Sequence, residues 1–194
     1  MTPLFVNENQ IIANVQKHIA LTAFEKERFI SFLTAKDVSK KEVVLRQGQV
    51  SKKLYFVAFG SLRAFNINDE GKESTVMFAI QDWWITDMNS FVNQKPALLS
   101  IEALEASRLL ELDFYKLQEL YQSIPKFERF FRVLFQNAYI REQLRALDNL
   151  SYATEQRYNR FVEKYPQIVA KVTQKQIASY LGVTPEFLSS IKKK

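Results

Sequence analysis

Apolar side chains in the first 35 residues recur at helical spacing: Ile11, Ile12, Val15 and Ile19, then Phe24, Phe29, Phe32 and Leu33. That spacing predicts one or two short helices over 8–35. From Val43 the pattern changes to short runs rich in β-branched and aromatic residues, at 43–45, 54–59, 61–67, 73–80, 98–104 and 107–113. These read as strands, separated by turns at Gln47–Gln49 and Asn68–Gly71. Their even spacing predicts a sandwich or barrel, here a roll of about eight strands.

A short helix follows from Phe114, and beyond Pro125 the helical period runs on from about 126 to 150. Phe130, Val133, Asn137, Ile140, Leu144, Leu147 and Ser151 are spaced alternately by three and four. This is a heptad seam with Phe130, Asn137, Leu144 and Ser151 at a positions, and a lone Asn there fixes register in two-stranded coils. The seam predicts a homodimer through Phe130, Val133, Asn137, Ile140, Leu144 and Leu147. The alternative is that the same stripe packs on the roll of its own chain, and Phe127, Phe131, Leu134 and Phe135 require a second buried face. A further helix over 152–165 is expected to be capped by Thr154 and closed by Pro166. The expected organisation is a roll domain over 1–122, a dimerisation helix over 123–150 and a helical module over 151–194, with a hinge near Ser151.

Residues 173–194 carry the pattern of a helix-turn-helix. Thr173 offers an N-cap, Ile177, Ala178 and Leu181 share one stripe, and Gly182 supplies the left-handed exit. Val183 then fills the angle between the helices, Thr184 caps the second helix, and Pro185 stands at its first position. Leu188 and Ile191 face the core while Glu186, Ser189 and Ser190 face outward, a short polar row suited to a major groove. The candidate DNA contacts are Thr173, Gln174, Lys175, Thr184, Pro185, Glu186, Ser189, Ser190, Lys192 and Lys193. An ordinary surface hairpin of helices shares the caps.

Charge bears on that choice. Residues 157–194 hold eight Lys or Arg against Glu163 and Glu186, a net of +6 that equals the net charge of the whole chain. Such asymmetry suits a segment that collects phosphates. With 47% hydrophobic residues the chain can build a core, and no run of about 18 apolar residues suggests a membrane span. The N-terminal residues lack the order of a secretion signal, so a cytoplasmic protein is expected. The absence of cysteine excludes disulfides, thiolate metal sites and a cysteine nucleophile, and the lone histidine, His18, cannot build a multi-histidine metal site. No Gly-x-Ser-x-Gly elbow accompanies it, so neither a metal site nor an enzymatic activity is expected.

The order of parts, with Gly60-Ser-Leu-Arg63, Asp69-Glu-Gly-Lys72 and Tyr180-Leu-Gly-Val183, resembles the cyclic-AMP receptor and fumarate-nitrate regulator (CRP/FNR) family of bacterial transcription factors. The resemblance implies an α+β chain: an N-terminal cyclic-nucleotide-binding-like β-roll, a long dimerisation helix and a C-terminal helix-turn-helix, winged-helix-like module. It implies a homodimer on a two-fold symmetric operator in double-stranded DNA, and contact with RNA polymerase if the protein activates. Two places depart from the family. Where cyclic-nucleotide binders carry Gly-Glu-Leu and then Arg-Ser or Arg-Thr, this chain has Trp84-Ile-Thr86-Asp87-Met88, and no arginine lies between Arg63 and Arg108. Cyclic AMP and cyclic GMP are therefore not expected as cofactors, and Trp84, Thr86, Asp87 and Met88 are candidates for a pocket taking another effector. In the recognition helix, Pro185, Glu186 and Ser190 occupy the places of the Arg, Glu and Arg of the cyclic-AMP receptor pattern, so the glutamate is kept and both arginines are absent, which predicts a different operator. The rival reading is a small-molecule-binding or protein-interaction module with a vestigial helix-turn-helix.

Overall fold

The computed structural model describes residues 4–192, with side chains over 8–191. Two helices lead, α1 (Leu4–Gln16) and α2 (Ala23–Ser31). At the start of α2 the Thr22 hydroxyl accepts the Glu25 N–H at 3.3 Å and the Glu25 carboxylate accepts the Thr22 N–H at 2.8 Å, a reciprocal capping box. The apolar run that reads as helix to residue 35 stops being helical at Phe32. Leu33 opens strand β1 (Leu33–Val38), which pairs antiparallel along its full length with β8 (Ser107–Asp113). A complete ladder of backbone bonds overrides helical spacing that continues for only a few residues.

The other strands are β2 (Val43–Leu45), β3 (Lys53–Phe59), β4 (Ser61–Ile67), β5 (Glu73–Ile80), β6 (Trp84–Ile85) and β7 (Ser100–Ala103). They form two four-stranded sheets, ordered β1-β8-β3-β6 and β2-β7-β4-β5. Val57, Leu62, Ala64, Ala79, Ile85, Ile101 and Leu109 fill the core they enclose. The strand expected over 98–104 is shorter because the N–H groups of Leu98 and Leu99 bond to Asp87 instead of a ladder. Gly60, between β3 and β4, has φ +93, and a Cβ there would lie 2.1 Å from Ser107 Oγ. Only glycine fits that turn. Arg63 is buried, bonded to Glu73 and Glu102 at 2.6 Å each, so it clamps β4 between its neighbours.

Helices α3 (Met88–Asn93) and α4 (Phe114–Ser123) flank the roll, and α5 (Lys126–Ser151) leaves it. The two halves of α5 differ. Phe127, Phe130 and Phe131 are fully buried with Ile11, Val15, Phe29, Phe56 and Trp84. Phe130, expected at the dimer seam, thus belongs to its own chain's core, where its ring lies 6.2 Å from Trp84 and 6.0 Å from His18. Val133 is half-buried. Beyond Phe135 the stripe opens to solvent: Asn137 is exposed, as are Ile140 (51%), Leu144 (49%) and Leu147 (56%).

The chain ends in α6 (Thr154–Lys164), α7 (Pro166–Val169), α8 (Gln174–Leu181) and α9 (Pro185–Lys192). Thr154, expected as the cap of α6, is its first residue. Ala153 holds the cap position, its N–H bonded to Gln156 at 3.2 Å, and the Thr154 hydroxyl accepts from Arg157 at 3.1 Å. No strand follows β8 among the described residues, so the likeness to a winged helix rests on helices alone. Packing crosses the boundary expected near Ser151, because Phe78 and Ile80 of β5 share one apolar cluster with Phe161, Ile168, Ile177, Leu181 and Leu188. No helix among the described residues is long and apolar enough to cross a membrane.

Candidate nucleic-acid interface and effector cavity

Local chemistry builds the helix-turn-helix from both ends. The Thr173 hydroxyl accepts the Gln176 N–H at 3.2 Å, and Gln176 Oε1 accepts the Thr173 N–H at 2.9 Å, closing a capping box on α8. Gly182 takes φ +71, letting the Val183 N–H return to the Ala178 carbonyl at 3.0 Å. The Thr184 hydroxyl accepts the Phe187 N–H at 3.2 Å and so caps α9. Ile177, Ala178, Leu181 and Leu188 are buried. Thr173, Gln174, Lys175, Thr184, Glu186 and Ser190 are exposed, while Pro185 and Ser189 are half-buried. Of the remaining candidates, Lys192 is described by its backbone alone and Lys193 lies outside the described residues.

Several of the basic side chains counted in this segment are committed elsewhere. Arg157 donates to the Leu181 carbonyl at 3.0 Å and to Asn149 at 2.7 Å. Arg160 pairs with Asp148 at 3.3 Å, and Lys171 with Glu105 of the roll at 2.6 Å. Burial opposes charge on Glu105, yet the bonds from Lys171 and Ser61 prevail and hold its carboxyl below the usual range. Lys175 is exposed and makes no ion pair among the described residues. Part of the charge excess therefore pins the module, while Lys175 stands exposed and unpaired among the described residues.

The module is clasped to the roll at the end of α8. Ser179 Oγ accepts the Thr75 N–H at 2.8 Å and donates to the Glu73 carbonyl at 3.0 Å. Arg145 of α5 donates to the carbonyls of Val76 and, at 3.2 Å, Tyr180, and its guanidinium lies 4.1 Å from the Tyr180 ring centre. Arg145 and Arg157 thus satisfy the last carbonyls of α8, where positive charge also complements the helix dipole. Burial raises the Tyr180 phenol above its usual value, with Arg145 opposing, so the ring is neutral under this cation. None of these long-range contacts has a signature in local spacing.

A second feature lies between the roll and α5. A cavity of about 520 Å³ is lined by Trp83, Trp84, Thr86, Met88, Phe135 and Asn137, among others. Three of the four candidate effector residues, Trp84, Thr86 and Met88, line it; Asp87 does not. Asp87 is buried, and its carboxylate accepts the N–H groups of Ser90, Leu98 and Leu99 at 2.9, 2.7 and 2.9 Å. These bonds cap α3 and fix the approach to β7, so Asp87 is structural. Trp84 Nε1 donates to Asn14 at 3.1 Å, and the Thr86 hydroxyl donates to the Lys53 carbonyl at 2.9 Å. Arg141, the cavity's one arginine, stacks 5.3 Å from the Trp83 ring centre and lies 3.6 Å from Glu142. Trp83 in turn meets Tyr165, at the end of α6, edge-on at 6.1 Å, so the cavity wall touches the helical module that precedes the helix-turn-helix. Among the described residues no cluster of three His, Asp or Glu could hold a metal ion.

The class this architecture defines is a cyclic nucleotide-binding domain followed by a helical module, and the model of the cyclic nucleotide-binding domain family matches residues 35–123. The chain is homologous to the transcription regulators of the CRP/FNR family. It is 23% identical over 167 residues to the regulatory protein HlyX of Actinobacillus pleuropneumoniae, covering 80% of this chain and 69% of that one. It is 24% identical over 165 residues to the transcriptional activator protein Anr of Pseudomonas protegens, covering 79% and 67%. In fold it is similar to the c-di-GMP responsive global regulator CLP of Xanthomonas campestris, with a TM-score of 0.72 and 18% identity over 89% of this chain and 90% of that one.

Proposed function

We propose that this chain is a sequence-specific DNA-binding transcription regulator that acts in the cytoplasm as a homodimer on two-fold symmetric DNA, without enzymatic activity. The observation that carries the reading is a helix-turn-helix whose two helices are each capped and whose outward row is exposed at Glu186 and Ser190. A vestigial module has no need to keep that row free of packing. The dimer rests on the stripe of α5 from Asn137 to Leu147, which its own chain leaves uncovered. Two helix-turn-helix modules on one such dimer address half-sites about one DNA turn apart. Selection of binding sites from genomic fragments with the purified protein tests this. Recovery of an inverted repeat supports the reading, and recovery of random fragments defeats it.

The cavity between roll and α5 is proposed as the effector site, with a preference other than cyclic AMP or cyclic GMP. A buried phosphodiester requires a free guanidinium, and Arg141 is already engaged with Trp83 and Glu142. The backbone around Asp87 is likewise committed. The aromatic and methionine lining suits a largely apolar molecule with few polar groups.

A further inference from the structure

In its first two turns α9 presents Glu186 and Ser190 outward, with Phe187 and the half-buried Ser189 on the flanks of that face, and their chemistry is unequal. The Ser190 hydroxyl donates to the Phe187 carbonyl at 2.8 Å, and the Ser189 hydroxyl donates to Gln174 Oε1 at 3.4 Å. Both hydroxyls thus have partners inside the protein. Two side chains are left to project. Glu186 is exposed with no ion pair among the described residues, and Phe187 is 50% exposed beside the fully buried Leu188. Phe187 takes no part in the apolar cluster that holds the module together. Its N–H is held by the Thr184 cap, which fixes its place in the first turn of the helix.

We propose that Phe187 is a sequence-reading residue whose ring packs on the C5 methyl group of a thymine in the major groove, close to the base pair whose amino group is accepted by Glu186. The proposal rests on the DNA-binding reading above and names what its recognition helix reads. The first turn of the second helix in a helix-turn-helix is the part that reaches base edges. A phenyl ring offers no hydrogen-bond donor and gains nothing from a phosphate. Among the four unmodified base pairs, the thymine methyl is the apolar group displayed in the major groove, so it is the partner such a ring can have there. Glu186 only accepts, which repels phosphates and selects an amino group such as cytosine N4. Positive charge on the module's flanks, Lys175 above all, fits the polyanionic duplex that brings the ring to the groove.

The test uses the full chain and an operator recovered by selection, with each thymine replaced in turn by deoxyuridine, which removes that methyl alone. One thymine per half-site is expected to matter, at about fourfold in affinity, the effect of withholding one methyl from an apolar partner. Phe187→Ala should bind the parent operator more weakly and fail to distinguish thymine from deoxyuridine at that position, whereas Phe187→Leu should still distinguish them. Being half-exposed, the ring can be removed without opening the core, and circular dichroism checks that the variant is folded. If no single thymine matters to the wild type, or if Phe187→Ala loses as much on the same substitution, the proposal is overturned while the DNA-binding reading stands. Should the wild-type chain bind no duplex at all, both fall.

Discussion

Replacing Leu144 and Leu147 together by glutamate separates assembly from folding. Full burial of a leucine is worth about 1.5–3 kcal/mol. Each of these is about half exposed in the single chain, at 49% and 56%, so about 1 kcal/mol of burial per side chain remains to be gained at a seam. Two side chains in each of two protomers give about 4 kcal/mol, or about a thousandfold in the association constant. Four carboxylates facing one another add to the loss. The monomer should keep its stability to within about 0.5 kcal/mol, because neither leucine is part of a buried cluster. Sedimentation velocity at micromolar concentration reads the assembly, and thermal denaturation of the variant reads the fold. The expected result is a folded monomer from the variant and a dimer from the wild type. A wild-type chain that sediments as a monomer, or a variant that dimerises as well as its parent, refutes the argument from exposure.

Other perturbations address separate parts of the molecule. Lys175→Gln should weaken binding to all duplexes alike and reduce the slope of log affinity against log salt by about one; an unchanged slope removes Lys175 from the docking face. Calorimetric titration with cyclic AMP or cyclic GMP should give no saturable isotherm, and micromolar binding that also tightens the operator complex would contradict the proposed effector preference. Gly60→Ala should destabilise the roll by about 2–4 kcal/mol, since the new Cβ collides with Ser107 at a positive φ; a melting temperature near the parent's would show that the turn can relax. Burial, helped by Glu128, pushes the Tyr121 phenol up to about 12 from 10.0. Because the folded value is the higher one, the contribution of Tyr121 to stability is intact below pH 10 and is lost as pH rises towards 12, which denaturant titrations across that range can follow.

The parts legible in the sequence are those whose causes are local. Thr173, Gly182, Thr184 and Pro185 act within four residues of themselves, so the helix-turn-helix can be read from spacing. The alternating strands of the roll are legible for the same reason. The seam on α5 is legible only in part: a heptad stripe has the same spacing whether it meets a partner or its own core, and Phe130 falls on the core side of the change while Asn137 falls on the other. Leu33 carries a helical pattern that the ladder with β8 overrules. Asp87 looks like a polar ligand in a loop, and nothing near it in sequence says that Leu98 and Leu99 will present their N–H groups to it. Phe187 escapes because it sits on the flank between the buried and outward stripes. The clasp of Arg145 and Ser179 joins residues far apart in sequence, a distance over which one chain's pattern carries no signal.

Leu144, Arg145 and Leu147 occupy a single turn of α5. In the proposed dimer the two leucines fix where the second protomer stands, and the arginine between them fixes where α8, and with it α9, stands. Rotating that turn about its axis would move the partner and the reading helix together, like two hands on one spindle. The angular phase of the two recognition helices around the DNA is thereby tied to the register of the dimer, and a molecule in the cavity pressing on Arg141, one turn earlier, or on Asn137, two turns earlier, would push on that spindle through the helix.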